Sequence, residues 1–300
     1  PLDSWFIQTT SEKGKLLEYN RTINWKPEAT GTGRFGKWLE NLVDWNLSRS
    51  RYWGTPLPIW STDDRKERIC IGSVEELKNE IDKAIEAGFM EENPMKDFQP
   101  GDHSKENYDL FDLHRPFVDE IVLVSPSGKK MHREPALIDV WFDSGAMPYA
   151  QHHYPFENKE HFDQLFPADY IAEGVDQTRG WFFTLHTIAV MLFDSVAFRN
   201  IISNGLVLDK DGNKMSKRLG NVIDPFDAID EPVGKGAVGV WLLLRPDRVL
   251  DPGDRDLGLF RRAGPGRLGR CFFTRRSTGE IRARLLRTLL CGVACGMIQG

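Results

Sequence analysis

Apolar and polar positions follow two different rhythms along this chain, and the change of rhythm divides it. Up to about residue 135 the pattern is broken. Residues 11–20 have helical spacing, and a turn follows at Lys26-Pro27. Residues 73–87 form an amphipathic stretch with Ser73 as N-cap and Glu76 three positions on, the sequence form of a capping box. Between these, Gly54-Thr55-Pro56-Leu57-Pro58 excludes helix because both prolines lack an N–H and restrict their neighbours. Residues 91–106 are charged and turn-rich and read as a surface loop. Residues 120–124 read as a short strand that turns at Ser125-Pro126-Ser127-Gly128.

From Ala136 the rhythm becomes strand, helix, strand. Residues 137–142 are a short apolar strand, and 168–172 are a second, ending at Glu173-Gly174. Residues 176–194 are a helix with Phe182, Leu185, Ile188, Ala189 and Leu192 on one face, and 200–208 are a further strand. Short joints between such elements predict a parallel crossover unit, so the expected fold class is α/β, part of a doubly wound sheet carrying inserted α+β segments. Ligands of such sheets bind at the carboxyl ends of the strands. That puts residues 141–144, 173–177 and the loop after Leu208 on one rim.

Composition adds a second division. The chain is globular in make-up, and none of its apolar runs approaches the roughly 20 residues needed to cross a bilayer. Its N-terminus has no signal-peptide pattern, and its four cysteines show no disulfide framework spacing, so a reducing cytoplasm is expected. Net charge is −5 overall, but residues 1–235 carry −12 and residues 236–300 carry +7. The last segment has 12 Arg, no Lys and 11 Gly.

The loop Asp209-Lys210-Asp211-Gly212-Asn213-Lys214-Met215-Ser216-Lys217-Arg218 concentrates four cations at a strand end. By charge alone it is either a solvated basic turn or a mobile clamp for a polyphosphate. It is not a P-loop, because the glycine and lysine order is wrong. Lys214-Met215-Ser216-Lys217-Arg218 is similar to the KMSKS signature of class I aminoacyl-tRNA synthetases, with Arg218 in place of the usual final Ser. The resemblance implies that these five residues bind ATP, and that Lys214 and Lys217 stabilise its phosphates while an amino-acid carboxylate attacks the α-phosphorus.

Glu173-Gly174-Val175-Asp176-Gln177-Thr178-Arg179-Gly180-Trp181-Phe182 places two acids at a helix start, where anions are normally welcome. They suit a ligand ammonium, or Asp176 is an ordinary helix cap. The segment resembles the isoleucyl branch of the same family more than the valyl or leucyl branches. The resemblance implies that Glu173, Gly174, Asp176 and Gln177 contact the isoleucyl-adenylate. Trp181 and Trp141, the latter in Asp139-Val140-Trp141-Phe142-Asp143-Ser144-Gly145, would wall the side-chain pocket. Read alone, Trp141 is a core residue. The implied partners are L-isoleucine, ATP with Mg²⁺, and tRNA(Ile). A non-catalytic RNA-binding piece is the alternative of a different class.

The likeness spans residues 2–229 and departs from the family in three ways. The family's His-x-Gly-His motif is absent, and with the editing domain it is expected upstream of Pro1, so the piece alone is expected to be inactive. Where many relatives carry a Cys-x-x-Cys zinc knuckle, this chain has Ser125 and Ser127, so no zinc and no metal site is expected. After Glu231 the likeness dissolves, which fits either a shifted reading frame or a basic arm for RNA. The expected organisation is a return segment at 1–40, a connective insertion at 41–135, the second half of a Rossmann-like core at 136–231, and an anomalous tail at 232–300.

Overall fold

The structure is a computed structural model that describes residues 3–206, 208–209, 211–216 and 218–222. Lys210, Lys217 and the whole tail expected to be anomalous, including a possible helix at 284–290, lie outside the described residues.

Helix α1 (Lys13–Asn20) leads to strand β1 (Asn24–Lys26). Strand β2 (Ser48–Arg49) precedes an antiparallel pair, β3 (Ile59–Thr62) and β4 (Arg68–Cys70), and then helix α2 (Val74–Glu86). Strands β5 (Leu123–Val124), β6 (Lys130–Arg133) and β7 (Leu137–Ile138) follow. Helix α3 (Val140–Ala150) and helix α4 (Lys159–Leu165) lead into strand β8 (Ala168–Gly174), helix α5 (Trp181–Phe193) and strand β9 (Phe198–Asn204).

The α/β expectation holds. Strands β8 and β9 pair in parallel through the α5 crossover, in register from Ala168 opposite Phe198 to Gly174 opposite Asn204. The third strand is β1, parallel on the other side of β9. One expected element is corrected. The 137–142 strand stops at Ile138, and Trp141 and Phe142 lie in the first turn of α3. Asp139 caps that helix by accepting the Trp141 N–H at 3.3 Å. Buried Phe142, Ala146, Tyr149 and Ala150 then follow at helical rather than alternating spacing. Strand β7 itself pairs with β2 and stays outside the parallel sheet.

Two apolar cores result. The first packs α1, β1, α3, α5 and β9 together through Trp25, Phe35, Phe142, Phe182, Phe198 and Ile201. His186 lies wholly inside it, pushed down to about 4 by burial and hydrogen-bonded through Nε2 to the Leu16 carbonyl, so it stays neutral. The second core belongs to the four-stranded sheet β4-β3-β6-β5 and α2, with Trp60, Leu77, Ile81, Phe98, Leu123 and Met131 inside. Helix α2 starts as its sequence predicts: Ser73 Oγ accepts the Glu76 N–H at 3.0 Å. The Glu76 carboxylate reaches back one residue further than a standard capping box, to the Gly72 N–H at 2.5 Å. Arg133, buried at the edge of this module, donates to Asp119 and to the carbonyls of Leu57, Glu134 and Ala136.

At the turn where the family resemblance would put a zinc knuckle, hydrogen bonds join two hairpins. The Ser127 N–H and hydroxyl both donate to Glu67, and Lys129 Nζ lies 2.8 Å from Asp64 Oδ2.

Helices α3 and α5 cross at Gly145. A Cβ there would come within 2.9 Å of Ile188 Cδ1 and 3.0 Å of Thr184 Cβ, so only glycine permits this approach. Gly145→Val should therefore cost about 1–3 kcal/mol by overpacking, read from urea unfolding midpoints. A shift below about 0.5 kcal/mol would mean that the two helices do not meet there.

Candidate functional site

The site is built where the start of α3 faces the segment between β8 and α5. Asp139, 4% exposed, does three jobs at once. Its Oδ1 caps α3, and its Oδ2 lies 2.6 Å from Arg49 Nη2 and accepts the Trp45 indole N–H at 3.0 Å. These contacts fix the first turn of α3 and with it Trp141. The indole of Trp141 remains 43% exposed instead of entering the core.

Opposite, strand β8 ends at Gly174, and residues Val175–Arg179 form a 3₁₀ turn instead of the first turn of the expected long helix. The α-helix begins only at Trp181. The cap comes from Gln177, whose Oε1 accepts the Trp181 N–H at 3.0 Å; Asp176 makes no cap bond. Asp176 instead accepts a 3.4 Å hydrogen bond from Gln177 Nε2 and stays exposed, while Glu173 is half-buried on the last turn of the strand. Neither acid has an ion-pair partner among the described residues.

Both tryptophans border this gap, each through a different neighbour. Trp181 Nε1 donates to the Ser144 carbonyl of α3 at 2.9 Å. Gly180 sits against the other indole, where a Cβ would be 3.1 Å from Trp141 Cη2 and 2.8 Å from Gln177 Oε1. The structure thus gathers Trp141, Gln177 and Trp181 around Gly180, with Asp176 bonded to Gln177, and puts Glu173 and Gly174 on the strand end that enters the turn. Thr178, fully buried, holds the turn from below: its hydroxyl donates to the Val175 carbonyl at 2.7 Å and accepts from Arg34 Nε at 2.9 Å.

One group in this neighbourhood carries no role in the sequence reading. Asp143, one residue from Ser144, has a buried Oδ1 without a hydrogen-bond partner among the described residues. Burial pushes its carboxyl up to about 7, against the lowering effect of a hydrogen bond from Thr55, with nearby Asp139 adding to the rise. Nothing in local spacing signals this, because it depends on which side of α3 is covered.

The cationic loop belongs to a separate unit that begins after Gly205. Leu208 and Lys214 form an antiparallel bridge, closed by Gly212 in a left-handed turn at φ +80°. Asp209 accepts the Asp211 and Asn213 N–H groups at 3.0 and 2.8 Å and the Asn221 Nδ2 at 2.7 Å. Asn221 in turn accepts the Ser216 N–H at 2.9 Å. The Asn221 amide leads the contacts that hold the Asp209 carboxyl below its ordinary range. Asp209 and Asn221 therefore tie both ends of the loop together, while Lys214 and Arg218 are exposed and Met215 and Ser216 are half-buried. Nothing in the charge pattern of the loop marks Asp209 and Asn221 as this clamp.

A family model for tRNA synthetases class I (I, L, M and V) matches residues 2–252, and the chain belongs to that family. It is 70% identical over 235 residues to the isoleucine–tRNA ligase of Bacteroides fragilis. It is 69% identical over 235 residues to that of Bacteroides thetaiotaomicron, and 69% identical over 231 residues to that of Porphyromonas gingivalis. These matches cover 76–77% of this chain and 20–21% of the relatives, so the chain spans about a fifth of their length. The family match runs past Glu231 to residue 252, further than the motifs alone carry the likeness. No helix among the described residues is long and apolar enough to cross a membrane.

The raised carboxyl of Asp143 has a stability consequence with a definite sign. The native state keeps a proton that the unfolded chain, with an ordinary carboxyl near pH 4, releases. Stability should therefore fall as pH rises from about 4 to about 7 and level off above. Asp143→Asn removes this loss, so the variant's melting temperature relative to the parent should climb across that window. A difference constant from pH 4 to pH 8 would place Asp143 in solvent.

Proposed function

We propose that the chain is part of the catalytic domain of an isoleucine–tRNA ligase that acts in the cytoplasm. In the complete protein this part holds the amino acid and closes over ATP. The observation that carries the reading is the placing of Trp141 against Gly180 and of Trp181 next to it in sequence, with Glu173 and Asp176 lacking an ion-pair partner among the described residues at the same turn. Two indole faces suit a branched aliphatic side chain, and the Glu173 and Asp176 carboxylates suit an ammonium. Gln177, held between Asp176 and the Trp181 N–H, fixes the polar end against the apolar walls. Identity of about 70% to relatives named isoleucine–tRNA ligase supports the choice of amino acid.

The reaction follows from these groups. The isoleucine carboxylate attacks the α-phosphorus of ATP, which enters with Mg²⁺; pyrophosphate leaves and isoleucyl-adenylate remains for transfer to tRNA(Ile). Lys214 and Lys217 offset the charge that develops on the phosphates, with Met215, Ser216 and Arg218 completing the ATP contact. Asp209 and Asn221 hold the loop ends on either side of Lys214. Zinc has no role at Ser125–Gly128 in this reading, since hydroxyls are poor zinc ligands beside thiolates.

Lys217→Ala in the full-length protein should lower isoleucine-dependent pyrophosphate exchange by about 100-fold or more, with little change in isoleucine affinity. An unchanged exchange rate would sink the role of the loop. Glu173→Ala should act in the opposite way, weakening isoleucine binding by about tenfold or more because the ammonium loses its charged acceptor. Equal isoleucine affinity in parent and variant would move the ammonium site elsewhere.

A further inference from the structure

Outside the ligase site, one cluster combines metal-ligand chemistry with an unanswered polar atom. His103 lies in the loop that follows α2, and His153 and Glu157 lie in the turn between α3 and α4. One ligand atom from each of the three lies within 4.8 Å of the others. His153 Nδ1 is 2.7 Å from Glu157 Oε2, and the His103 and His153 rings meet edge to face at 4.9 Å. His103 Nδ1 is buried and has no hydrogen-bond partner among the described residues. A buried imidazole nitrogen without a partner costs free energy unless something fills the position.

The surroundings are built around these groups. His153, 9% exposed, takes a left-handed backbone at φ +52°, which turns the chain so that its carbonyl accepts the Glu157 N–H at 3.0 Å. That single helical turn brings the two side chains to the same side. The His103 loop is tied by buried Asn107, whose amide donates to the Gln99 and Asp102 carbonyls at 2.9 and 2.7 Å. Tyr108 and Phe156 pack against the His153 ring. A cavity of about 50 Å³ adjoins both histidines, with Glu75 also on its wall. That is room for water beside the two histidines.

We propose that His103, His153 and Glu157 form a binding site for a divalent transition-metal ion of the zinc type. The ion would clip the insertion to the turn at the far end of α3. Two neutral imidazoles and one carboxylate are a recognised zinc ligand set with a fourth position left to water. Tetrahedral ligands at zinc distances sit about 3.3 Å apart; His153 Nδ1 and Glu157 Oε2 are at 2.7 Å, and all three ligand atoms lie within 4.8 Å of one another. Binding needs Glu157, whose side chain is 41% exposed, to swing outward by about 0.6 Å. Tyr108 and Phe156 cover the His153 ring, while the Glu157 side of the cluster stays open to solvent. The expectation of a metal-free chain rested on thiol spacing, whereas these ligands come from segments that only the fold brings together. The site is independent of the ligase reading.

The test titrates the full 300-residue chain, stripped with chelator, with Co²⁺ and then Zn²⁺. One equivalent of Co²⁺ should give the visible bands of a four-coordinate nitrogen and oxygen site, and Zn²⁺ should displace them and raise the melting temperature. His103→Gln and, separately, Glu157→Gln should each weaken binding by about tenfold or more while circular dichroism stays that of the parent. No saturable binding would overturn the proposal. So would bands unchanged in both variants, or an intense near-ultraviolet thiolate band assigning the ion to cysteine.

Discussion

The buried carboxylate of Asp139 is the contact on which the rest of the site depends. It leaves β7, caps α3, and is answered by Arg49 and the Trp45 indole, while its own N–H donates to the Leu47 carbonyl at 2.8 Å. A charge this deep is tolerable only when paired and hydrogen-bonded, and removing a partner from such a group is far more costly than the net worth of the pair. Asp139 therefore fixes where strand ends and helix begins. Everything downstream inherits that choice: the side of α3 that carries Trp141, the depth of Asp143, and the crossing at Gly145.

The second determinant is the break at Gly180. A continuous helix from residue 176 would have aimed Asp176 and Gln177 along one cylinder. Because the 3₁₀ turn ends at Arg179 and α5 starts afresh at Trp181, Gln177 folds back to cap the new helix and Trp181 reaches Ser144. Gly145 lets α3 approach α5, and Gly180 lets the Trp141 indole lie against the start of α5.

Much of the fold was legible in the chain, and the failures have physical causes. The Ser73–Glu76 cap and the β8–α5–β9 crossover rest on local chemistry and periodicity, which a sequence displays directly. Residues 137–142 were misread because a six-residue apolar run fits a buried strand and a buried helix turn equally well, and only the Asp139 cap decides between them. The partner of β9 could not be read at all, since pairing Asn24 with Asn200 is a long-range fact. In the candidate site, Trp141 and Trp181 come forward only through family resemblance; read alone, Trp141 is a core residue. Asp143 and the His103–His153 contact depend on burial and on distant segments, and neither leaves a local mark.

The position of β1 also bears on how the chain finds its shape. Asn24 Nδ2 bonds to Asn200 Oδ1 across a separation of 176 residues, so the parallel sheet closes one of the longest loops the described chain can make. Loop-closure entropy rises only slowly with length, but the search for so distant a partner slows folding. The intervening segment is not slack, however. Trp60, Leu77, Ile81, Leu123 and Met131 make a core of their own within it. Once that core has condensed, the flexible tether between β1 and β9 is much shorter than the residue count implies. The module with this core then acts as a spacer, drawing the two ends of the sheet within reach of each other.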